Sequence, residues 1–497
     1  MTSVLPNTRQ GEQPDEAALA MPSTRPKRRP NWFQREPAWP LVSLLVYWPL
    51  WWASGIGDYA PVVVAIPMAR KLYLWNTRGE RKIKAPPGFG LWLLFLVIMM
   101  AGCIVLTQTA PNTMPGTAST RSITWLSRAL SYLSYTVILL FAGNLTEKEY
   151  PRRKLAWHLG IVGAYAVIFG YLALADPTFT FTAPITPLIP QSIQQASQGQ
   201  VYAMLHPSMT QLEAFNGQGR VTAPFLYANT WGNNIAITLP WLFVIWKDFK
   251  KRWQRRTVFW IMIGSIIPMV YSFDRGLWVA IIVGILYIAI RFALMGKTAL
   301  LGFIVAGTVL GGVVYFVTPI HTIVSTRVQN GYSNTARGNE SLLALQGGID
   351  SPVIGFGDTR REFGSVKSIS VGRTSKCTAC GQRSAGSNGQ IWLLLISTGL
   401  VGTFFFMGFF IYGCVRYWRD RSPIGLVGVL VLLLGFVFGA VYDSVGATLA
   451  FTFLAYALLW RNEKDQREEQ QGSGIPPVLP EERVRSERLA ITAGPSA

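Results

Sequence analysis

The sequence predicts an all-α fold, a polytopic bundle of about twelve membrane-spanning helices with two long external loops. Three observations predict it. Only 14% of the residues are charged, where a soluble protein carries about 25%. The apolar residues fall in long blocks, and about 18 residues with almost no charge suffice to cross a hydrocarbon core about 30 Å thick as a helix. Clusters of Lys and Arg punctuate every second connection between these blocks, the pattern of cytoplasmic loops.

Residues 1–37 are rich in Pro, Arg and Gln and read as a disordered basic cytoplasmic tail. No short apolar core with a small-residue cleavage site is visible there, so the first span is expected to act as an uncleaved anchor. The transmembrane domain is expected over residues 38–460. Its apolar segments run approximately over 40–54, 59–75, 88–107, 123–144, 154–175 and 225–246, then 257–272, 276–290, 298–317, 389–417, 423–441 and 444–460. The first two are short and broken by Pro49, Pro61 and Pro67. Residues 461–497, containing GSGIPPVLP, read as a second disordered tail.

The N-terminal tail with RPKRRP, the clusters ARKLYLWNTRGERKIK, EKEYPRRK, KDFKKRWQRR, RFALMGK and RYWRDR, and the C-terminal tail lie at alternate connections and hold most of the 45 Lys and Arg residues. That bias puts both termini in the cytoplasm. It also accounts for most of the net charge of +20, so nucleic acid is not an expected partner, whereas membrane lipids are. Tryptophans such as Trp75, Trp157, Trp246, Trp418 and Trp460 sit at span ends, as interfacial anchors do.

Two outward connections, residues 176–224 and 318–388, are long enough to suggest function. The second contains SLLALQGGI, expected as a short helix against the membrane face. The external cations collect in or beside these loops: Arg220, Arg275, Arg327, Arg337, Arg360, Arg361, Arg373 and Arg383. Among the external cations only Lys367 and Lys376 are lysines. Arginine offers the planar, permanently charged fork that grips phosphate oxygens. Each charge-assisted bond contributes about 1.5–3 kcal/mol, so several converging guanidinium groups would hold a diphosphate without a metal. Singly, each arginine is as well read as a lipid-facing surface residue. Arg275 is the exception, because SFDRG puts it at a tight turn directly before an apolar helix.

No cofactor or metal is expected, since His158, His206 and His321 lack the spacing of a zinc site. Cys103 and Cys414 fall in apolar spans and read as core residues. Cys377 and Cys380 lie on the oxidising side by this topology, where a local disulfide is expected. It would staple the loop just ahead of RSAGSNGQIW, a polar entry into an apolar helix. Asn388 in that entry reads equally as a helix N-cap or as a functional residue.

Four stretches taken together resemble the bacterial O-antigen ligase and polymerase proteins, multi-span glycosyltransferases that act on polyprenyl-diphosphate-linked glycans. GRVTAPFLYANTWGNN is similar to the family's Arg-Phe-Asn pattern, with Arg220, Phe225 and Asn229 on the matching positions. YSFDRGLW carries Arg275 on the family's turn arginine. TARGNESLLALQGGIDSPVIGFGD is similar to an Arg, a short helix and Pro-x-x-Gly-x-Gly, here Arg337, Pro352, Gly355 and Gly357. The fourth, RSAGSNGQIWLLLISTG, runs to Gly399, and where the family's ligases carry a histidine eleven positions before that glycine this chain has Asn388. Asparagine cannot take up a proton near neutral pH. Asp274, Glu340, Asp350 and Asp358 are the carboxylates nearest the matched motifs.

The resemblance implies glycosyl transfer at the outer face of the cytoplasmic (inner) membrane, from a polyprenyl-diphosphate-linked glycan donor to a glycan or lipid acceptor. Arg275, Arg337 and Asn388 would be catalytic. Arg220, Asn229 and Trp231 would bind substrate. Ligase and polymerase remain open. The alternative is a transporter or flippase of a lipid-linked glycan or other anion, and a scaffold role is a third reading.

Overall fold

A chain in hydrocarbon must satisfy its own backbone N–H and C=O groups, and the apolar blocks accordingly become helix. The computed structural model describes residues 37–115, 117–191, 194, 200–212, 219–317, 321–322, 325, 331–361 and 384–472. In chain order the helices are α1 (Trp39–Val46), α2 (Trp48–Ala53), α3 (Ala60–Thr77), α4 (Phe89–Ala101), α5 (Ala118–Asn144), α6 (Arg152–Ala175) and α7 (Gln200–Leu205). There follow α8 (Ala228–Thr238), α9 (Trp241–Ile245), α10 (Arg252–Gly264), α11 (Ile266–Tyr271), α12 (Arg275–Leu294) and α13 (Thr298–Val317). The last are α14 (Gly331–Asp350), α15 (Gln390–Tyr417), α16 (Pro423–Val441) and α17 (Ala447–Gly472). Two small hairpins accompany them, β1 (Thr210–Leu212) with β2 (Gly219–Val221) and β3 (Arg360–Arg361) with β4 (Ser384–Ala385).

Among the described residues six helices are long and apolar enough to cross a membrane: Arg121–Asn144, Arg152–Ala175, Arg275–Leu294, Thr298–Val317, Gln390–Tyr417 and Pro423–Val441. Several other expected spans are divided. The first breaks at Tyr47 because Pro49 opens α2 and donates no hydrogen bond. Residues 225–246 divide at Pro240 into α8 and α9. Residues 257–272 divide at Ser265 into α10 and α11, and 88–107 form a 13-residue helix followed by a 3-10 turn. Large apolar side chains such as Val97, Phe303, Phe404 and Val415 stay exposed, as lipid-facing side chains do.

The core is aromatic where α4, α5, α15 and α17 meet. Trp92 contacts Phe95, Tyr132, Phe406, Phe409 and Phe453 at ring-centroid distances of 4.8–6.1 Å. At one end of the bundle a polar network ties the helices together. Arg461 pairs with Glu147, Arg152 pairs with Glu147 and Asp465, and Asn462 donates to Asp420. That network corrects the expectation that a disordered tail starts at residue 461, because Arg461 is buried and α17 continues to Gly472.

The second long loop is structured where it meets α15. SLLALQGGI is helical, as expected, and forms the second half of the 20-residue α14, packed on α15 through Gly347 and Gly348. α15 breaks at Gly399, whose φ of 69° and ψ of −172° are not helical. The segment Ser351–Gly357 fills the break. Phe356 N donates to Ile396 O (2.8 Å), Gly357 N to Ser397 O (2.9 Å), and Val401 N donates back to Pro352 O (2.9 Å). Backbone freed by the break is thereby satisfied from within the protein, as an apolar surrounding would require. Gly355, at φ 61°, lies so close that a Cβ would sit 2.6 Å from Gly399 N. The SPVIGFGD and STGLVG stretches thus form one interlocked unit. Arg360 follows, 1% exposed, donating to the carbonyls of Leu106, Gln108, Phe356 and Asp358. It is a structural staple and not a free phosphate ligand.

Candidate functional site

The site is built on the turn between α11 and α12. Phe273 adopts φ 52°, a left-handed conformation that costs a non-glycine residue about 1–2 kcal/mol. Asp274 then caps α12, its Oδ1 accepting from Gly276 N (2.9 Å) and Leu277 N (3.2 Å). Arg275 is the first helical residue and is half-buried.

Arg220 holds this turn from the other long loop. It stands on β2 opposite Gln211, its Nε donates to Ser272 O (3.1 Å), and a terminal nitrogen donates to Asn229 Oδ1 (2.9 Å). Asn229, at the start of α8, therefore orients the guanidinium. Tyr442 closes the site from the end of α16. Its hydroxyl donates to Asp274 Oδ1, and Gly276 leaves room for its ring, since a Cβ there would overlap the Tyr442 ring carbons. Gly232 on α8 likewise makes room for Asp274 Oδ2. Burial raises the Asp274 carboxyl above its ordinary range, while Arg220, the Tyr442 hydroxyl and the two cap amides act against that rise.

Arg337 reaches the same tyrosine from α14, its guanidinium carbon 5.4 Å from the ring centroid, a cation–π contact. Asn388 is beside it, and its amide donates to the Arg337 carbonyl across 3.5 Å. The N-cap position of α15 is held by Gly389, with no side-chain cap, and Gln390 N donates instead to Tyr442 O (2.9 Å). The helix-cap alternative for Asn388 is thus not what is observed. Residues 384–389, the polar doorstep of α15, are ordered by β4, which pairs Ala385 with Arg360, and by a turn at Gly386 (φ 86°).

The structure therefore gathers Arg220, Asn229, Asp274, Tyr442, Arg337 and Asn388 into one linked patch, with Arg275 adjoining it. Trp231 does not join them. It is fully buried, and its indole N–H donates to Ala166 O (3.1 Å), which makes it packing between α8 and α6. This corrects its expected substrate contact. Cys377 and Cys380 lie outside the described residues, as do Arg327, Arg373, Arg383, Lys367 and Lys376. Among the described residues no three His, Cys, Asp or Glu side chains gather as a metal would require.

Sequence reasoning missed three participants. Tyr442 and Asp443 sit in VYDSVG, a short connection between two apolar blocks, where an acidic residue beside an aromatic was the available signal. Asp58 lies in the turn between α2 and α3, within electrostatic reach of Asp443. Asp358 is a further carboxylate of this region, committed to Arg128 and Thr124. No family model, no curated protein and no solved structure matches the chain.

Proposed function

We propose that the chain is a membrane glycosyltransferase of the O-antigen ligase or polymerase type, using a polyprenyl-diphosphate-linked glycan at the outer face of the cytoplasmic membrane in envelope polysaccharide synthesis. The observation that carries this reading is the convergence on Tyr442 and the Asp274 turn of arginines far apart in sequence, Arg220 and Arg337, with Arg275 adjoining. Two long loops contribute one arginine each, and the third opens an apolar helix. Glycosyl transfer leaves negative charge on the departing diphosphate, and fixed guanidinium groups stabilise that charge most where water is scarce. Asn388, whose amide donates to the Arg337 carbonyl, orients the acceptor hydroxyl in this reading.

A carrier of the same lipid-linked glycan is the second reading, favoured by a specific observation. Both the α8–α9 pair and α15 are interrupted helices, and Asn233 on α8 is buried with neither amide atom hydrogen-bonded. Interrupted helices near a membrane midplane are a transporter feature. Against it, the backbone of Ser351–Gly357 occupies the α15 break and pairs with its freed groups. Purified protein given a labelled polyprenyl-diphosphate glycan separates the readings. A transferase releases polyprenyl diphosphate and yields a transferred or lengthened glycan, a carrier moves the donor intact, and a scaffold does neither.

A further inference from the structure

We propose that Asp443 is the general base of the transfer, taking the proton of the acceptor hydroxyl; the inference rests on the glycosyl-transfer reading above. Asn388 cannot accept that proton, so another group has to. Four carboxylates near the matched motifs are already engaged or displaced. Asp274 is fully buried as the α12 cap, and Asp358 is buried against Arg128. Glu340 is buried and accepts from Ser387. Asp350 accepts from Gln346 and is 13 residues past Arg337 on α14, about 20 Å along a helix.

Asp443 differs in exposure and in placement. Asp443 is exposed to solvent, while the protein around it withholds part of the hydration of its carboxylate. Among the described residues it forms no ion pair and bonds only the backbone amides that follow it, Val445 N at 2.9 Å. Its neighbours lock it beside the doorstep, since Tyr442 O accepts from Gln390 N (2.9 Å) and Ser444 N donates to Gln390 Oε1 (3.3 Å). Gln390 is two residues from Asn388.

The direction of the side chain suits an in-line displacement. Tyr442 is extended, at φ −142° and ψ 148°, so successive side chains point to opposite faces. Tyr442 faces Asp274 and Arg337. Asp443 lies on the other face, within electrostatic reach of Asp58 from the turn before α3, Arg128, Tyr132 and Tyr135 from α5, and Tyr227 ahead of α8. A single displacement at the anomeric carbon requires the leaving diphosphate on one face and the entering hydroxyl on the other. The acceptor oxygen forms the new bond to the anomeric carbon. The bond from that carbon to the diphosphate oxygen breaks, its electron pair leaving with the diphosphate. The hydroxyl proton passes to Asp443 and then to water. Enclosure holds the Asp443 carboxyl above its ordinary range, which suits a base working near neutral pH.

The test uses full-length protein in nanodiscs and the labelled polyprenyl-diphosphate glycan pool extracted from the native membranes. Asp443→Asn keeps an oxygen for Val445 N but cannot take the proton. It is expected to lower kcat by about 100-fold or more with little change in donor KM, and Asp443→Glu to keep measurable turnover with a shifted acid limb in its pH profile. An Asp443→Asn protein that retains kcat and pH profile overturns the inference while the transfer reading stands. Wild-type protein that releases no polyprenyl diphosphate overturns the transfer reading and the role of Asp443 with it.

Discussion

The hydroxyl of Tyr442 donates to Oδ1 of Asp274, the same oxygen that caps α12. One hydrogen bond therefore joins the C-terminal end of α16 to the first turn of α12, and the ring that makes it also carries the Arg337 guanidinium. Arg220 grips the carbonyl two residues earlier, at Ser272. The left-handed backbone at Phe273 is held between these contacts.

Tyr442→Phe is expected to keep the ring contact with Arg337 and to remove a donor from a buried carboxylate. The loss is about 1–3 kcal/mol, to be read as a lowered Tm in detergent and a lower kcat. An unchanged Tm would show that the cap amides alone hold Asp274.

Asn388→Ala is expected to leave Tm unchanged, because the first turn of α15 is satisfied by Tyr442 O and not by Asn388. Transfer should fall, and Asn388→Ser should not restore it fully. Full activity in both variants would remove Asn388 from the site.

Gly399→Ala is expected to be far more damaging than Gly402→Ala. Gly399 combines a left-handed φ with carbonyls of Ser351 and Pro352 at 2.5 Å from the position of a Cβ, whereas Gly402 meets only side-chain atoms. Detergent-extracted Gly399→Ala should be poorly folded by size-exclusion chromatography. A normal elution profile would show that the α15 break is not fixed by Ser351–Gly357.

Asp58 provides a pH prediction. Burial, with repulsion from Asp443, raises its carboxyl to about 6, while the Gln200 amide acts the other way. The folded state thus holds this proton more tightly than the unfolded chain, whose carboxyl titrates near 3.8. Stability from this group is present below about 3.8 and is lost as pH rises to about 6. Asp58→Asn should flatten the Tm profile across that window. An identical profile would place Asp58 in a water-like environment.

Much of this was legible beforehand. Helical class and membrane character followed from apolar blocks, which hydrocarbon forces into helix. Arg220, Arg337 and Asn388 were marked by residue type and position, and they do meet. Tyr442 was not legible, because its role depends on two glycines, Gly232 and Gly276, that leave space for a carboxylate and a ring packed from other helices. Trp231 misled because an aromatic at an apparent span edge looks the same in sequence whether it faces a ligand or α6. Arg360 misled likewise, since its guanidinium is consumed by backbone carbonyls of a loop more than two hundred residues away.

The most direct measurement is the affinity of the purified protein for undecaprenyl diphosphate, wild type against Arg337→Ala, with undecaprenyl monophosphate as control. Arg337 packs on Tyr442 without capping any helix, so its loss should spare the fold. A diphosphate preference that falls about tenfold or more in the variant is the predicted result. Equal affinity for both lipids, unchanged by Arg337→Ala, would contradict a diphosphate site at the Asp274 turn.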